Sequence, residues 1–322
     1  MNNSAIEWTD TTWNPVTGCS KVSQGCKNCY AERIFARPYP GRDFTDVRTH
    51  TDRLDQPLRR RKPKRIFVNS MSDLFHEDVP DAFILQVFDV MRECQNGYSR
   101  RTDKLTAGHT FQILTKRADR MRDFCIRLRF AQNDDRGLYL ADTLPHNGFN
   151  PMPALKNIWL GVSVEDQETA TERIPLLLKT PAAVRFISAE PLLGPISFEG
   201  MFATDIINDG TNALEALDLV ITGGESGPNA RPSHPDWFRL LRDQCTVCET
   251  AFFFKQWGEW KPTHTISRAD EYRGALVDPI GGLNDSDDAL PRRTVGMDRV
   301  GKKAAGRTLD GREHSELPTC RD

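Results

Sequence analysis

Short apolar runs alternate with stretches of helical spacing, and this rhythm constrains the fold of the chain more than any other feature. The runs are rich in β-branched and aromatic residues, which favours buried strands over helices. Helical spacing follows three of them, at residues 79–94, 121–128 and 235–245. Such alternation predicts a parallel sheet with right-handed crossovers. The runs are Ile66–Ser70, Phe111–Lys116, Ile158–Ser163, Val184–Glu190, Leu219–Gly224 and Phe252–Trp257.

A further run at Trp13–Gly18 raises the number of predicted strands to seven, one fewer than a closed (β/α)8 barrel contains. The sequence therefore predicts an α/β fold, a partial (β/α) barrel of about six to seven parallel strands, within residues 1–260. Residues 130–157 are rich in proline, asparagine and aspartate, which is typical of an irregular insertion. Residues 261–322 are polar and weakly periodic, and they indicate a C-terminal extension that either packs on the barrel or is partly disordered.

Three cysteines in one short segment are the strongest chemical signal in the chain. Cys19, Cys26 and Cys29 follow the spacing C-x6-C-x2-C, and a glycine precedes each of the first two. Three thiolates can hold three irons of a 4Fe–4S cluster and leave the fourth iron open to a ligand. The alternative is a structural zinc site that takes a fourth ligand from elsewhere in the chain. Candidates for that fourth ligand are His50, His76, Cys245 and Cys248.

The cysteine content also bears on the cellular compartment. Eight cysteines in 322 residues are too few for a disulfide scaffold, and the N-terminal residues lack the charged and apolar regions of a signal peptide. We therefore expect reduced thiols and a cytoplasmic protein. Cys245 and Cys248 form a C-x2-C pair that either binds metal, acts in redox chemistry or is simply partly buried. Cys94 and Cys125 lie on apolar helix faces and are predicted to belong to the core.

Polar residues end most of the predicted strands, which is where the functional residues of parallel barrels lie. Carboxylates there can bind an ammonium group or a ribose diol or move a proton, and cations can bind a carboxylate or a phosphate. Paired glycines also let a ligand approach the main chain closely. The alternative interpretation is that the acids are solvated and that Ser72 and Asp73 cap a helix. Candidate cofactor-binding residues are Asn69, Ser70, Ser72, Asp73, Ser163, Glu165, Glu190, Gly223, Gly224 and Glu225, and candidate substrate-binding residues are Lys116, Arg117, Lys255 and Trp257.

One stretch of the chain is strongly basic. Arg59–Arg65 contains six cations in seven residues, and such runs can contact nucleic-acid phosphates. Trp257 and Trp260 could stack on a base. The competing interpretations are a solvated loop for the basic run and core packing for the tryptophans. The net charge of −2 gives no overall attraction to nucleic acid or to a membrane, and no apolar run is long enough to cross a membrane.

Several distinctive motifs lie along the chain, at Trp13–Cys19, Cys26–Glu32, Asn69–Phe75, Leu114–Arg117, Gly161–Glu165, Ser188–Leu192, Gly223–Gly227 and Phe254–Gly258. Together they resemble a bacteriophage-encoded three-cysteine-motif family, found also in bacteria and mobile elements, whose activity is unassigned. A cysteine triplet after the first strand of a partial barrel is in turn similar to the radical S-adenosylmethionine superfamily. The usual spacing in that superfamily is C-x3-C-x2-C, from which this chain departs.

The resemblance implies a cofactor pair and a mechanism. The three cysteines would hold a 4Fe–4S cluster whose open iron binds the amino and carboxylate groups of S-adenosylmethionine. An electron from the reduced cluster would cleave a sulfur–carbon bond, and the resulting 5′-deoxyadenosyl radical would abstract hydrogen from the substrate. By position, Asn69–Asp73 would face the methionine part, and Ser163 with Glu165 the ribose. Glu190 and Gly223–Glu225 would line the adenosine side or the substrate.

Three functions remain open from the sequence. The first is a radical S-adenosylmethionine enzyme of unknown substrate, for which modified nucleic acid is a candidate. The second is a non-enzymatic zinc- or cluster-binding protein that acts with nucleic acid or with a separate three-cysteine-motif partner protein. The third is a barrel enzyme with Glu190 and Glu225 as an acid/base pair, which leaves the cysteines unexplained. A phage-encoded member would act in the host cytoplasm, and the sequence assigns no catalytic residue.

Overall fold

Strands and helices alternate along much of the chain. The computed structural model describes residues 4, 6–129, 132–134, 137–139, 154–201, 211–265, 274–278 and 294–318. The strands are β1 (Thr11–Trp13), β2 (Val16–Thr17), β3 (Arg48–Thr49), β4 (Arg65–Val68), β5 (Tyr98–Ser99), β6 (Lys104–Leu105), β7 (Thr110–Thr115), β8 (Gln132–Asp134), β9 (Gly137–Tyr139), β10 (Ile158–Ser163), β11 (Val184–Ala189), β12 (Leu219–Gly223), β13 (Ala251–Gln256), β14 (Trp260–Thr265), β15 (Ala275–Val277) and β16 (Val295–Arg299). The helices are α1 (Tyr30–Phe35), α2 (Asp81–Asn96), α3 (Ala118–Arg129), α4 (Gln167–Leu178), α5 (Pro235–Val247) and α6 (Lys302–Ala305).

Seven of these strands form a parallel sheet that curls into a half-barrel flanked by helices. Their order in the sheet is β1-β4-β7-β10-β11-β12-β13, which is also their order in the chain. Parallel neighbours need a long connection, usually a helix. Helices α2, α3, α4 and α5 lie in the connections that follow β4, β7, β10 and β12. The predicted partial (β/α) barrel is confirmed.

The first strand differs from its prediction. β1 ends at Trp13 and pairs with β4 in the parallel sheet, whereas β2 pairs antiparallel with β3 in a separate two-stranded sheet. Pro15 lies between β1 and β2 and has no N–H to donate to a ladder. Its carbonyl accepts the N–H of His50 at 2.8 Å. The prediction of one continuous strand over Trp13–Gly18 is therefore wrong, because the proline interrupts it.

The described chain forms two compact units, and the first contains residues 1–22, 31–162 and 176–185. In it, α2 and α3 bring Phe88 and Phe124 together with their ring centroids 5.3 Å apart. Pro80 stands at the N-cap of α2, where its missing N–H costs nothing. Gly97 ends the same helix with a φ of +74°, a left-handed conformation that favours glycine.

The second unit contains residues 23–30, 163–175 and 186–322. Its core includes an aromatic group formed by Phe238 on α5, Phe254 on β13 and Trp257. The Phe238 ring lies edge-on to the other two, with centroid distances of 5.0 and 5.1 Å. Edge-to-face contacts of this kind stabilise a core beyond the burial of apolar area.

The C-terminal segment belongs to the second unit wherever it is described. β14, β16 and β15 form an antiparallel sheet in that order. Further along, Phe254 donates its N–H to the carbonyl of His314 at 3.0 Å, which fixes the chain near residue 314 against β13. The predicted boundary at residue 260 stays a prediction. Within the predicted insertion at 130–157, β8 and β9 pair with each other, and most other residues lie outside the described part.

Membrane crossing can be examined for the helices that are described. None of them combines the length and the apolar character that a bilayer span requires.

A cluster of two arginines and one aspartate fastens the C-terminal segment to α5. Asp310 accepts from Arg239 at 2.7 Å and from Arg242 at 2.5 Å. Hydrogen bonds from Arg239, followed by those from Arg242, lower the pKa of Asp310 to about 2. The carboxylate therefore stabilises the fold above the unfolded-state pKa of about 3.9, and this contribution is lost as pH falls through about 2.

We expect Asp310→Asn to lower the free energy of unfolding by about 1 kcal/mol near neutral pH, a value already reduced for solvent screening. The difference from wild type should vanish below about pH 2, where Asp310 is protonated in both states. Urea titrations across this pH range measure it. Asp243→Asn is the control, because Asp243 pairs with Arg242 at a more exposed position. A difference that persists unchanged at low pH would contradict the assignment.

Candidate functional site

The three cysteines of the triplet are thiols with partly exposed side chains. Cys19 follows Gly18, whose φ is +92° and where an added Cβ would lie 2.5 Å from the carbonyl oxygen of Asp46. Glycine is required there by both conformation and space. Cys26 ends a short 3-10 turn in which its N–H donates to Ser23 at 3.0 Å. Cys29 directly precedes α1.

In the first unit, a buried arginine lies beside Cys19. Arg117 places Nη1 3.8 Å from Cys19 Sγ and donates from Nη2 to Ser20 Oγ at 2.8 Å. It also pairs with Asp73 at 3.2 Å and with Glu77 at 2.7 Å. Burial alone would lower the pKa of the guanidinium, but Asp73, Glu77 and the Cys19 thiolate raise it overall. The Arg117 guanidinium therefore stays charged, and it lies next to the sulfur of Cys19.

Asp73 organises this part of the first unit. Its carboxylate accepts the hydroxyl of Thr115 at 2.7 and 2.8 Å and the backbone N–H groups of Phe75 at 2.9 Å and Lys116 at 3.2 Å. With Arg117 as a further donor, the buried carboxylate is surrounded by donors. The structure therefore gives Asp73 a supporting role between β7 and the cysteine segment, and the backbone of Lys116 takes part in it.

The other residues of the predicted stretch 69–73 have separate partners. Ser70 Oγ donates to Asn14 at 3.1 Å, and Ser72 Oγ donates to the carbonyl of Val16 at 2.8 Å. Asn69 adopts a φ of +62°, and its Oδ1 accepts the N–H of Val16 at 3.2 Å. Asn69 is 3% exposed, and its Nδ2 has no hydrogen-bond partner in the described chain. Asn69 thus offers an unsatisfied donor directly after β4.

In the second unit, Glu225 binds the segment that carries Cys26 and Cys29. Its Oε2 accepts from Asn28 at 3.1 Å and from Arg231 Nε at 2.9 Å, and its Oε1 accepts from Arg231 Nη2 at 2.7 Å. Arg231 also donates to the carbonyl of Gln24 at 3.1 Å. Burial alone would raise the pKa of Glu225, but the hydrogen bonds from Arg231 and Asn28 lower it overall. Glu225 is therefore an ionised support of the segment.

Glu165 packs against the same segment. A Cβ on Gly25 would lie 2.5 Å from Cγ of Glu165, so glycine is needed for the turn to approach this side chain. Glu165 is fully buried, and Arg173 contacts its Oε2 at 3.4 Å while donating to the carbonyl of Ser163 at 2.9 Å. The predicted pair Ser163 and Glu165 is thus joined through Arg173.

Glu190 and Lys255 form an ion pair next to β12. Lys255 Nζ lies 3.0 Å from Glu190 Oε1, and Ser188 Oγ donates to Glu190 Oε2 at 3.3 Å. A Cβ on Gly223 would lie 2.8 Å from Oε1, so the glycine leaves room for this carboxylate. Desolvation, then the charges of Cys29 and Glu190, raises the pKa of the Tyr30 phenol. Glu190, a predicted cofactor-binding residue, and Lys255, a predicted substrate-binding residue, therefore lie together here. The charge of Glu190 also acts on Tyr30, which directly follows Cys29.

Gly224 and Trp257 have structural roles. A Cβ on Gly224 would lie 1.9 Å from the carbonyl oxygen of Trp257, so the space that we expected a ligand to use is filled by main chain. Trp257 is buried in the aromatic core and donates from Nε1 to the carbonyl of Thr308 at 2.9 Å. Core packing, the competing interpretation for Trp257, is what the structure shows.

The remaining candidates lie in different surroundings. His50 shares a 2.7 Å hydrogen bond with Thr17 Oγ1, and His76 shares a 2.8 Å hydrogen bond with Ser20 Oγ. Across the described ranges, no three or more His, Cys, Asp or Glu side chains converge as ligands of a single metal ion would.

Cys94, Cys125 and Cys245 are buried thiols. The sequence predicts core positions for Cys94 and Cys125, and partial burial is one of the interpretations that it leaves open for Cys245. The exposed cations of the basic run are Arg59, Arg61 and Lys62.

Sequence reasoning missed the residues that support the triplet. Asn28, Arg173 and Arg231 contact predicted site residues. Asn28 lies inside the cysteine motif but is not one of its spaced ligands, and the two arginines belong to no apolar pattern or spaced motif. A carboxylate at a strand end indicates only that a basic residue elsewhere in the chain can pair with it. The position of that cation in the chain follows from the fold.

The chain matches, over residues 3–318, a family described as protein of unknown function (DUF5131). The chain belongs to this family. The DUF5131 match includes the cysteine triplet, the parallel sheet and the described C-terminal segment. No curated protein and no solved structure matches the chain.

The Glu225 contacts make the cysteine segment dependent on one carboxylate. We expect Glu225→Ala to raise the rate of tryptic cleavage after the exposed Lys27 by at least about tenfold, because the lost charged hydrogen bonds lower the cost of local opening. Limited proteolysis followed by mass spectrometry measures this rate. Asp236→Ala is the matched control, since it breaks an arginine pair with Arg239 elsewhere in the second unit. Unchanged cleavage after Lys27 would contradict the supporting role of Glu225.

Proposed function

We propose that this protein is a radical S-adenosylmethionine enzyme that holds a 4Fe–4S cluster through Cys19, Cys26 and Cys29. The observation that carries the proposal is a set of three partly exposed thiols in one segment, in a chain that folds as a partial parallel barrel. Between the first and last of them the sequence has no histidine, aspartate or glutamate. A donor set of three thiolates fits a cluster with one open iron.

The donor set fits a cluster better than it fits a single ion. Zinc needs four ligands, each at about 2.0–2.3 Å from one centre. A cluster spreads its sulfur ligands over several irons, so those ligands lie farther apart. The absence of a single-ion ligand group from the described residues is compatible with this arrangement. In the zinc alternative, His76 would have to give up one of its hydrogen bonds, because its Nε2 shares one with Ser20 and its Nδ1 accepts the N–H of Asp78.

When bound, the cluster would supply an electron to the sulfonium of S-adenosylmethionine. The chain's own residues hold and tune its ligands. Arg117, 3.8 Å from Cys19 Sγ, favours the thiolate and offsets negative charge beside it. Arg231 donates to the backbone carbonyl of Gln24, and Glu225 accepts from the side-chain amide of Asn28, which keeps the ligand segment in place.

Residues at the strand ends are proposed to recognise S-adenosylmethionine. Asn69 has the strongest support, because its buried Nδ2 is a donor with no partner in the described chain and suits a carboxylate. Glu190 and Lys255 offer an acid and a cation close together, which suits an ammonium group or a ribose. The engaged carboxylates of Asp73 and Glu225 are assigned to support and not to direct contact.

The substrate class is proposed to be modified nucleic acid. Exposed Arg59, Arg61 and Lys62 in the basic run supply charges that phosphates can contact. The resemblance to a phage-encoded three-cysteine-motif family supports the same class and adds a separate partner protein with that motif. It also supports action in the host cytoplasm.

Anaerobic purification and reconstitution with iron and sulfide test the proposal. The wild-type chain should bind iron with the absorption of a 4Fe–4S cluster and, with reductant, convert S-adenosylmethionine to 5′-deoxyadenosine. Cys26→Ala should lower that product at least about 100-fold. Cys248→Ala, a partly exposed cysteine outside the triplet, should retain both signals.

Each other outcome has a defined meaning. A normal cluster without 5′-deoxyadenosine would refute the enzymatic activity and leave the ligand assignment intact. Zinc at one ion per chain, with no iron after anaerobic purification, would favour the non-enzymatic metal-binding protein. Full iron binding by Cys26→Ala would refute the ligand assignment itself.

A further inference from the structure

The loop of residues 227–230 lies between β12 and α5, and its backbone carbonyls accept from side chains of two other parts of the second unit. We call it the carbonyl loop. One of the two parts is the segment that carries Cys26 and Cys29. The other is the sheet that β14, β16 and β15 form, which we call the C-terminal sheet. No part of the proposed function uses the contacts between the loop and this sheet.

The C-terminal sheet holds three of the four carbonyls. Arg299, at the end of β16, donates from Nη2 to the carbonyls of Gly227 and Pro228, both at 3.0 Å. Trp260, at the start of β14, donates from Nε1 to the carbonyl of Ala230 at 2.7 Å. Trp260 and Arg299 are register partners where β14 pairs with β16, so both reach the loop from one end of the sheet.

Glu259 adds backbone and carboxylate contacts at the same place. Its Oε1 accepts the N–H of Gly227 at 2.9 Å, and its own N–H donates to the carbonyl of Glu225 at 3.0 Å. Its carbonyl accepts the N–H groups of Val300 and Gly301, both at 3.0 Å. Glu259 therefore ties the start of the carbonyl loop to the chain directly after β16.

The remaining carbonyl of the loop, that of Asn229, accepts from the cysteine segment. Asn28 donates from Nδ2 to this carbonyl at 2.7 Å and to Glu225 Oε2 at 3.1 Å. Asn28 lies between Cys26 and Cys29 in the chain. The carbonyl that fixes it is thus flanked on both sides by carbonyls that the C-terminal sheet holds.

We propose that Arg299 and Trp260 are positioning residues for Cys26 and Cys29 as metal ligands, so that the C-terminal sheet supports the metal site. The inference rests on the proposed function, or on its zinc alternative, for the assignment of these cysteines as ligands. The sheet fixes the carbonyl loop, the loop fixes the Asn28 amide, and the amide fixes the chain between the two thiols. Residues that orient metal ligands in this way strongly affect how tightly the metal is held.

Hydrogen–deuterium exchange of the metal-free, full-length chain tests the first step, because it needs no cluster. Arg299→Met removes two hydrogen bonds to the loop, and Trp260→Phe removes one and keeps an aromatic ring. We expect either change to raise the exchange rate of residues 23–30 about fivefold. The urea midpoint of Arg299→Met should stay close to that of wild type, because Arg299 is exposed.

Two further variants separate these hydrogen bonds from a general loosening of the C-terminal segment. Arg299→Lys should exchange within about twofold of wild type, because both bonds come from one nitrogen that an ammonium group can replace. Arg307→Met is the matched control, because Arg307 lies in the same segment and donates to Ser315 Oγ at 2.7 Å. It should leave the exchange of residues 23–30 unchanged.

Iron loss to a chelator tests the second step on the reconstituted chain under anaerobic conditions. Arg299→Met and Trp260→Phe should lose iron about fivefold faster than wild type, and Arg299→Lys and Arg307→Met should match wild type. The measurement contains no S-adenosylmethionine and does not depend on enzymatic activity. If the wild-type chain holds zinc instead of iron, zinc loss should follow the same order of variants.

Several results would overturn the inference. Unchanged exchange of residues 23–30 in both Arg299→Met and Trp260→Phe would show that the carbonyl loop does not fix this segment. An equal rise in Arg307→Met would show a general loosening, and exchange in Arg299→Lys as fast as in Arg299→Met would show that the two bonds are not its cause. Faster exchange without faster metal loss would show that the segment does not govern the metal. Zinc in place of iron in the wild-type chain would refute the proposed function alone, because the exchange and zinc-loss measurements still decide this inference.

Discussion

A Gly224→Ala variant should be at least about 3 kcal/mol less stable than the wild-type chain. The added Cβ would lie 1.9 Å from the carbonyl oxygen of Trp257 and 2.7 Å from its carbonyl carbon. Both atoms are main chain, so no side-chain rotation can relieve the overlap. The adjoining Gly258 faces the same crossing, where its own Cβ would lie 2.1 Å from the carbonyl of Glu225. The two segments after β12 and β13 therefore cross at a distance that only glycine permits.

Thermal unfolding monitored by circular dichroism measures the effect, with an expected fall in melting temperature of at least about 4 °C. Gly108→Ala is the matched control, because no described atom lies within 4 Å of the Cβ it would add and its φ is not left-handed. That variant should melt within about 1 °C of wild type. Equal melting temperatures for the two variants would refute the close crossing.

An Asp73→Ala variant should lose about 3–5 kcal/mol of stability. The buried carboxylate is the acceptor for Thr115, Arg117 and two backbone N–H groups. Its removal leaves a buried guanidinium and several donors without their acceptor, and the cost of such orphaned groups exceeds the value of any one bond. Because Arg117 also contacts Cys19, the variant should in addition retain less reconstituted iron than wild type.

Urea unfolding of the apo chain gives the free energy, and iron analysis after gel filtration gives cluster retention. Thr115→Val removes one donor to the same carboxylate and should cost only about 1 kcal/mol. Arg117→Met combined with Asp73→Ala should be less destabilising than the sum of the single changes, because the charge that needs Asp73 is gone. Strict additivity of the two changes would contradict the coupling.

The sheet could be predicted from the sequence because its strands are long apolar runs buried in a parallel arrangement. Six such runs match β4, β7, β10, β11, β12 and β13 to within a few residues. Helix α4 lies outside the three predicted helical stretches, and it contains Pro175, a residue that argues against a helix interior. β1 was misplaced because the three residues Thr11–Trp13 carry too little pattern to fix a boundary.

The candidate site was less accessible to sequence reasoning. Spacing selected Cys19, Cys26 and Cys29 as candidate ligands, because metal and cluster ligation demands converging thiolates. The position of Glu225 at the end of a predicted strand also made it a candidate, but gave no means of telling a ligand-binding carboxylate from one that holds Arg231. The partner of a charge is set by tertiary contacts between distant residues, and a single sequence carries no trace of them.

The agreement between strand order in the parallel sheet and strand order in the chain has a consequence for biosynthesis. Each strand that leaves the ribosome finds its neighbour already made, so the sheet can grow from one edge as translation proceeds. No strand must wait for a later one to be inserted between itself and its predecessor. The edge at which the sheet grows is at any moment a newly made strand, and the arrival of the next strand limits the time in which it can pair with another nascent chain.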